Sequence, residues 1–382
     1  MLTFRRVLIV ALTVLAIFLL FGGKGRIDSK RFFHDEQLEK RLLQVQRELM
    51  AKVAAVDELS HNRVSKLDEK IEKLEVEKRV LEQQIQELRR LPEGATLRQQ
   101  LSYQFPYHKS SRFPAYIWQT WKHGRNDAEL EEHIHQFMQS WDHHGEGFVH
   151  EVLSDSVAEK IVTHLFMNVP DVIDAYKAMP EKILKADFFR YLILLARGGT
   201  YSDADTELLK PIPVWIPGSL NPLNIGVTIG IEADPDRPDW AEWYARRIQF
   251  CQWTIQSKPG HPILREVVAR ITEKTLEKKK KGAMFDATIN RGTDIMDWTG
   301  PGIWTDSIMD YFNLPTSPFG PTDWHNFTGL AEPKLFGDVL ILPITSFSPG
   351  VDTMGSKAES DPLAFVKHHF EGSWKDDKKK KT

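Results

Sequence analysis

At 382 residues the chain is long enough for a catalytic domain of ordinary enzyme size plus accessory segments, since domains commonly run about 100–200 residues. Lysine and arginine number 50 against 53 aspartates and glutamates, a net charge of -3, which excludes a global basic field suited to nucleic acid. One cysteine, Cys251, excludes an intrachain disulfide, so the fold rests on burial in either a cytosolic or a lumenal setting.

Residues 1–6 are a short tail ending in Arg5 and Arg6. Val7–Phe21 is apolar apart from Thr13, and with Gly22 and Gly23 it reaches 17 residues, the short end of the range of about 17–25 for a spanning helix. A thin early-secretory membrane suits that length. A cleaved signal peptide shares the basic start and apolar core, but no small-x-small cleavage pattern follows, so 7–23 reads as an uncleaved signal anchor. Basic residues flank both sides and do not set orientation. The short tail before an enzyme-sized remainder favours a lumenal C-terminal portion.

Residues 24–104 read as a stem, with a long helix over about 35–91. Leu67, Ile71, Leu74, Lys78, Leu81, Ile85 and Leu88 recur in steps of four and three, and Leu38, Leu42, Val45, Leu49, Val53 and Val56 continue the stripe with a stutter. The stem is either a coiled coil with another copy or a partner, or a solvated single helix laced with Glu–Lys pairs. Pro92 and Gly94 end it.

The globular domain is expected over 105–374, followed by a charged disordered tail over 375–382. Ala115–Trp121 and Phe148–Leu153 read as strands, with a polar helix between them carrying Glu131, Glu132, His133, His135, His143 and His144. That helix reads as a solvated face rather than a metal site. Val157–Phe166 and Val172–Leu195 look helical, and the alternation predicts an α/β domain. Leu184, Phe188, Tyr191, Leu192 and Leu195 keep helical spacing, and Gly198-Gly199 turns the chain into an extended Thr200–Ser202. Further strands are expected at Ile225–Glu232, Ile248–Ile255 and within Gly337–Pro349, a helix at Pro262–Leu276, and another after Thr299–Asp306. Asn326-Phe327-Thr328 fits the N-glycosylation acceptor pattern, usable only in a lumenal domain.

The chemistry concentrates in Lys185–Pro211. If the strand continues, Asp203 and Asp205 point to one side and offer hard oxygens to a divalent cation of the magnesium or manganese type. The plain alternative is a polar turn. Asp187 and Arg190 share one helix face, as a sugar clamp or as a mutual ion pair.

The stretch KADFFRYLILLARGGTYSDADT resembles the donor-site motif of Asp-x-Asp sugar transferases with a GT-A, Rossmann-like fold, and its spacing resembles that of the clostridial glucosylating toxins. IWQTWK, QWTIQSKPGHP, TGPGIWTD, ILPITSFSPG and HHFEGSW, in this order over roughly 113–374, resemble the fungal Golgi initiation-specific α-1,6-mannosyltransferases, members of glycosyltransferase family 32. The resemblance implies a single-pass type II Golgi membrane enzyme. Its expected reaction is metal-dependent transfer of mannose, with retention, from GDP-mannose to N-glycan cores of glycoproteins. It further implies Mn2+ or another divalent cation held by Asp205 and Asp203, with Asp187 and Arg190 clamping the sugar. Trp118, Gln119 and Thr120 would lie against the nucleotide. His369 is the expected third metal ligand, with His368 the alternative. The expected attack is from the face the diphosphate leaves. Phe188-Phe189 departs from the smaller residues common before that arginine, which touches packing more than chemistry. Acceptor choice falls to loops such as Pro217–Asn224 and Asp234–Asp239. Two other readings stand beside this one: transfer to a sphingolipid or polymer acceptor, and a non-catalytic Golgi complex subunit.

Overall fold

The helix announced by Leu184, Phe188, Tyr191, Leu192 and Leu195 is buried on nearly every side, not along one stripe. This is seen in a computed structural model, which describes residues 36–88 and 94–371 apart from 126, 128, 236, 285–291 and 352. The expected anchor at 7–23 and tail at 375–382 lie outside the described residues. Among those described, no helix is long and apolar enough to cross a membrane.

Two compact units divide the chain, one ending at Arg90 and one beginning at Leu91. The first contains a helix, α1 (Glu36–Leu88), of 53 residues. At 1.5 Å per residue it is about 80 Å long. Leu67, Ile71, Leu74 and Leu81 of the expected stripe are exposed along it.

The second unit begins with α2 (Leu97–Gln104), capped by Thr96 and Gln99 in a reciprocal capping box. Arg98 pairs with Glu266 and Glu273, and Leu101 is fully buried. These eight residues, which the sequence assigns to the stem, therefore belong to the globular packing. In chain order follow β1 (Tyr116–Trp121), α3 (Glu132–His144), β2 (Val149–Ser154), α4 (Asp155–Leu165), α5 (Pro170–Ala178), α6 (Lys182–Arg197), β3 (Gly199–Ser202) and β4 (Thr206–Leu208). Then come β5 (Val227–Ala233), β6 (Gln249–Phe250), β7 (Thr254–Ser257), α7 (Pro262–Lys280), α8 (Gly292–Trp298), α9 (Pro301–Phe312), β8 (Lys334–Phe336), β9 (Val339–Leu342) and β10 (Val366–His368).

Two expectations shift. The single helix over Val172–Leu195 is two, because Pro180 biases Met179 to extended backbone and interrupts it. The strand over Ile248–Ile255 is also two, with Cys251 tied instead to Gly230 through its N–H and to the Trp304 indole through its carbonyl. Helix α7 runs on through the lysines to Lys280, whose charges sit at the favourable end of its dipole. On α3, Ile134, Met138 and Trp141 face inward while His133 and His143 are exposed.

The main sheet has the order β2-β1-β3-β7-β5-β9-β8, with β6 added beside β5. β1 runs parallel to β2 and β3, and β5 parallel to β9. β3 and β5 are both antiparallel to β7 and hence parallel to each other. The C-terminal ends of β1, β3, β5 and β9 therefore share one edge, where ligands of open α/β sheets sit. β4 and β10 form a small antiparallel pair on that side, beyond the end of β3.

Two glycines turn α6 into β3 at the opposite edge, where β1 and β3 begin. Gly198 has φ 65°, and a Cβ there would lie 2.6 Å from the Pro259 ring and 2.8 Å from the Ser257 carbonyl. Gly199 has φ 97°, and a Cβ would meet the Tyr116 carbonyl at 2.7 Å. Only glycine accepts both the left-handed backbone and the close approach.

Candidate active site

Asp203-Ala204-Asp205 is a turn between β3 and β4, not a continuation of the strand. The Asp203 carbonyl accepts from the Thr206 hydroxyl (2.6 Å), the Thr206 N–H (3.2 Å) and the Gln119 amide (3.2 Å), while the Asp203 N–H donates to the Trp253 carbonyl (2.9 Å). Those backbone bonds close a loop that strand pairing would have opened. The two carboxylates converge because of the turn, so the expectation that strand alternation aligns them is corrected.

The third group is His368. Its Nε2 lies 3.3 Å from Asp205 Oδ1, and ligand atoms of Asp203, Asp205 and His368 all fall within 4.8 Å of one another. The expected ligand, His369, points away: it stacks on Phe137 at 3.9 Å and meets Glu207 at 3.2 Å. The cause is strand alternation in β10, whose His368 pairs with Thr206 while the His369 N–H reaches the Asp205 carbonyl at 3.0 Å. Trp253 stacks parallel on His368 at 4.8 Å and fixes its ring. Two carboxylates with an imidazole suit a borderline divalent cation such as Mn2+.

Asp187 and Arg190 do form the ion pair that helix spacing allows, at 2.9 Å. Both are almost fully buried, so this is no surface pair of a few tenths of a kcal/mol. One Arg190 nitrogen, Nη2, serves both Asp187 and Asp203, the latter at 3.0 Å. Its Nε and Nη1 are buried and meet no hydrogen-bond partner among the described residues. Asp187 also accepts from Gln252 (3.3 Å) and Thr299 (3.0 Å). Burial pushes the Asp187 carboxyl up to about 6, with Arg190 acting against it and Asp203 adding to it. Burial likewise raises Asp203, opposed by Arg190. In Asp205 burial also acts upward, but His368 and the Glu371 N–H outweigh it and hold the group below its ordinary value.

The three residues expected against the nucleotide separate by strand face. Trp118 is a core residue whose indole donates to the Gly198 carbonyl at 2.9 Å. Gln119, fully buried on the opposite face, braces Asp203 as above and also meets His150 at 2.8 Å. Thr120 bonds the Tyr201 hydroxyl (3.0 Å), which donates to Asp203 Oδ1 (2.9 Å). Tyr201, Gln252, Thr299 and Trp253 were not singled out from sequence. Gln252 and Trp253 belong to QWTIQSKPGHP and Thr299 to TGPGIWTD, so the order of motifs carried that signal.

Glu232, near the end of β5, lies within electrostatic range of Arg190 and Asp187. It keeps some exposure overall, yet its Oε2 meets neither solvent nor a hydrogen-bond partner. Burial pushes this carboxyl up to about 8, a hydrogen bond from Gln249 only partly offsetting it.

Residues 131–221, which contain the constellation except His368, Gln252, Trp253, Thr299, Glu232 and the β1 residues, match the family model of the glycosyltransferase sugar-binding region containing the DXD motif. An initiation-specific α-1,6-mannosyltransferase of Candida albicans is 53% identical over 75% of this chain and 78% of its own length. The chain belongs to the initiation-specific α-1,6-mannosyltransferase family. The Schizosaccharomyces pombe protein of that name is 50% identical over 72% of this chain and 66% of itself. The Saccharomyces cerevisiae one is 37% identical over 74% and 82%. Among solved structures the PaToxG glycosyltransferase is similar at 15% identity over 57% of this chain and 75% of its own, with a TM-score of 0.35 too low to carry an argument. Membership in this mannosyltransferase family makes the chain a glycosyltransferase, and the Asp203–Asp205 turn is its DXD motif.

Proposed function

We propose that this chain transfers mannose from GDP-mannose, with Mn2+ or a similar divalent cation, to the N-glycan cores of glycoproteins in an α-1,6 linkage. The observation that carries this reading is the convergence of Asp203, Asp205 and His368 beside an arginine with two buried, unpartnered nitrogens. A buried donor without an acceptor is costly, so Arg190 Nε and Nη1 await oxygens of a ligand. Family membership supplies mannose and the linkage, and the GT-A description of the α/β domain rests on the same resemblance.

Asp203, Asp205 and His368 would hold the cation, which when bound neutralises charge on the departing diphosphate. Arg190 offers Nε and Nη1 to sugar or phosphate oxygens. Asp187 orients that guanidinium; of roughly four lone-pair sites on its carboxylate three are engaged, leaving one for a sugar hydroxyl. Thr120 and Tyr201 fix the rotamer of Asp203. We read the reaction as retaining, with the acceptor entering on the face the diphosphate leaves. The anchor at 7–23 and the stem fit a type II Golgi enzyme with a lumenal domain. Full chain assayed with a panel of nucleotide sugars, with and without Mn2+, should transfer mannose from GDP-mannose alone. Preference for another donor would overturn the assignment, and transfer to a sphingolipid or polymer in place of an N-glycan would overturn the acceptor.

A further inference from the structure

Glu232 and the loop after β5 stand on the same sheet edge as the Asp203–Asp205 turn, with β7 between them. Ser202 faces Thr254 and Thr228 faces Gln256 across β7, so Glu232 comes within a residue of the level of Asp203. Two strand spacings put it about 10 Å to the side.

The chain leaving β5 is stapled at once. Asp234 accepts from Arg247 (2.8 Å), from the Thr328 hydroxyl (2.9 Å) and from the Gly329 N–H (2.7 Å), drawing three distant segments together. Between those segments lies a cavity of about 400 Å³ lined by Arg237, Pro238, Trp240, Arg247 and Trp324. Arg247 lies 4.5 Å over the Trp324 ring, and the neighbouring Trp243 is 61% exposed. Both arginines of the cavity already face carboxylates, Arg247 that of Asp234 and Arg237 that of Asp239. A free phosphate would therefore meet matched charge rather than an open cationic site. His325 stacks on the Trp324 ring at 3.6 Å as well, so what remains are the Trp240 ring, the edge of Trp324 and their N–H donors, which fit the C–H faces and hydroxyls of a neutral hexose chain.

We propose that this cavity is an acceptor subsite, holding hexose units of the oligosaccharide acceptor beyond the hydroxyl that reacts. The proposal rests on the glycosyl-transfer reading above. It gives acceptor length a physical basis: the reacting hydroxyl sits by the Asp203 turn, and the more distant sugars pack on Trp240 and Trp324.

The test is steady-state kinetics of the full chain with an oligomannose N-glycan as acceptor. Trp240→Ala and Trp324→Ala should each raise KM for the glycan about tenfold, the loss of one ring contact, with KM for the nucleotide sugar within about twofold. Trp240→Phe, which restores a ring, should recover most of the affinity. Unchanged glycan KM in both alanine variants, or a parallel rise in donor KM, would overturn the subsite. Absence of transfer by the unmodified chain would instead overturn the functional reading on which it rests.

Discussion

At the residue scale the site turns on which histidine closes the metal group. Adjacent strand residues face opposite sides, so a one-residue error in register exchanges a ligand for a packing residue. His368→Ala should therefore raise the Mn2+ concentration for half-maximal activity about tenfold or more, a change that loss of even an outer-shell partner can reach. His369→Ala should shift it little, since that ring stacks on Phe137. Equal shifts in the two variants, read from metal titrations of activity, would contradict the assignment. Glu232 makes a separate prediction. Its folded pKa of about 8 lies above the ordinary 4.5, so its contribution to stability is complete below about pH 4.5 and lost as pH rises through about 8. Glu232→Gln removes that loss. Its stability relative to the parent chain, measured by urea unfolding, should improve between pH 5 and pH 8 by at most about 1.4 kcal/mol per pH unit. A difference that does not change with pH would show that the carboxyl titrates normally.

At the scale of elements, α6 and β3 deliver Asp187, Arg190, Asp203 and Asp205 together only because the chain reverses at Gly198-Gly199. Gly198→Ala sets a Cβ against Pro259 and the Ser257 carbonyl at a positive φ, where neither neighbour can yield by a rotamer change. The expected cost is about 2 kcal/mol or more, read as a fall in the urea midpoint, and an unchanged midpoint would show that the turn relaxes. Helix α1 is the other element with an unanswered surface. Its exposed Leu67, Ile71 and Leu74 follow the four-three period of a coiled-coil seam, and a second copy of the helix would cover them. Sedimentation of the full chain should give an oligomer that Leu67→Ser, Ile71→Ser and Leu74→Ser together reduce to a monomer. A monomeric parent chain would leave α1 a solvated single helix.

Across the whole molecule, what the sequence made legible was whatever short-range physics controls. The period of α6, the glycine stop, the strand–helix alternation and the i,i+3 pairing of Asp187 with Arg190 depend on neighbours along the chain. The choice between strand and turn at Asp203–Asp205 stays open in the sequence because Trp253 and Thr206 decide it, one of them fifty residues away. Glu232 carries no signal of its own inside an apolar strand, since only the fold brings it near Arg190. The KPGHP stretch, part of one motif that carries the family resemblance, is architecture. His261 and Asp338 lie 3.5 Å apart, Tyr107 and Tyr311 donate to Asp338 at 2.7 and 2.8 Å, and together they lock β9 to the start of α7. The central claim, that Asp205 is a donor-site metal ligand of a mannosyltransferase, is tested most directly by comparing the full chain with Asp205→Ala for Mn2+-dependent transfer of mannose from GDP-mannose to an oligomannose N-glycan. The account predicts transfer by the parent chain and a loss of at least about a hundredfold in the variant, with an unchanged circular dichroism spectrum. Transfer at the parent rate by a folded Asp205→Ala protein would contradict it.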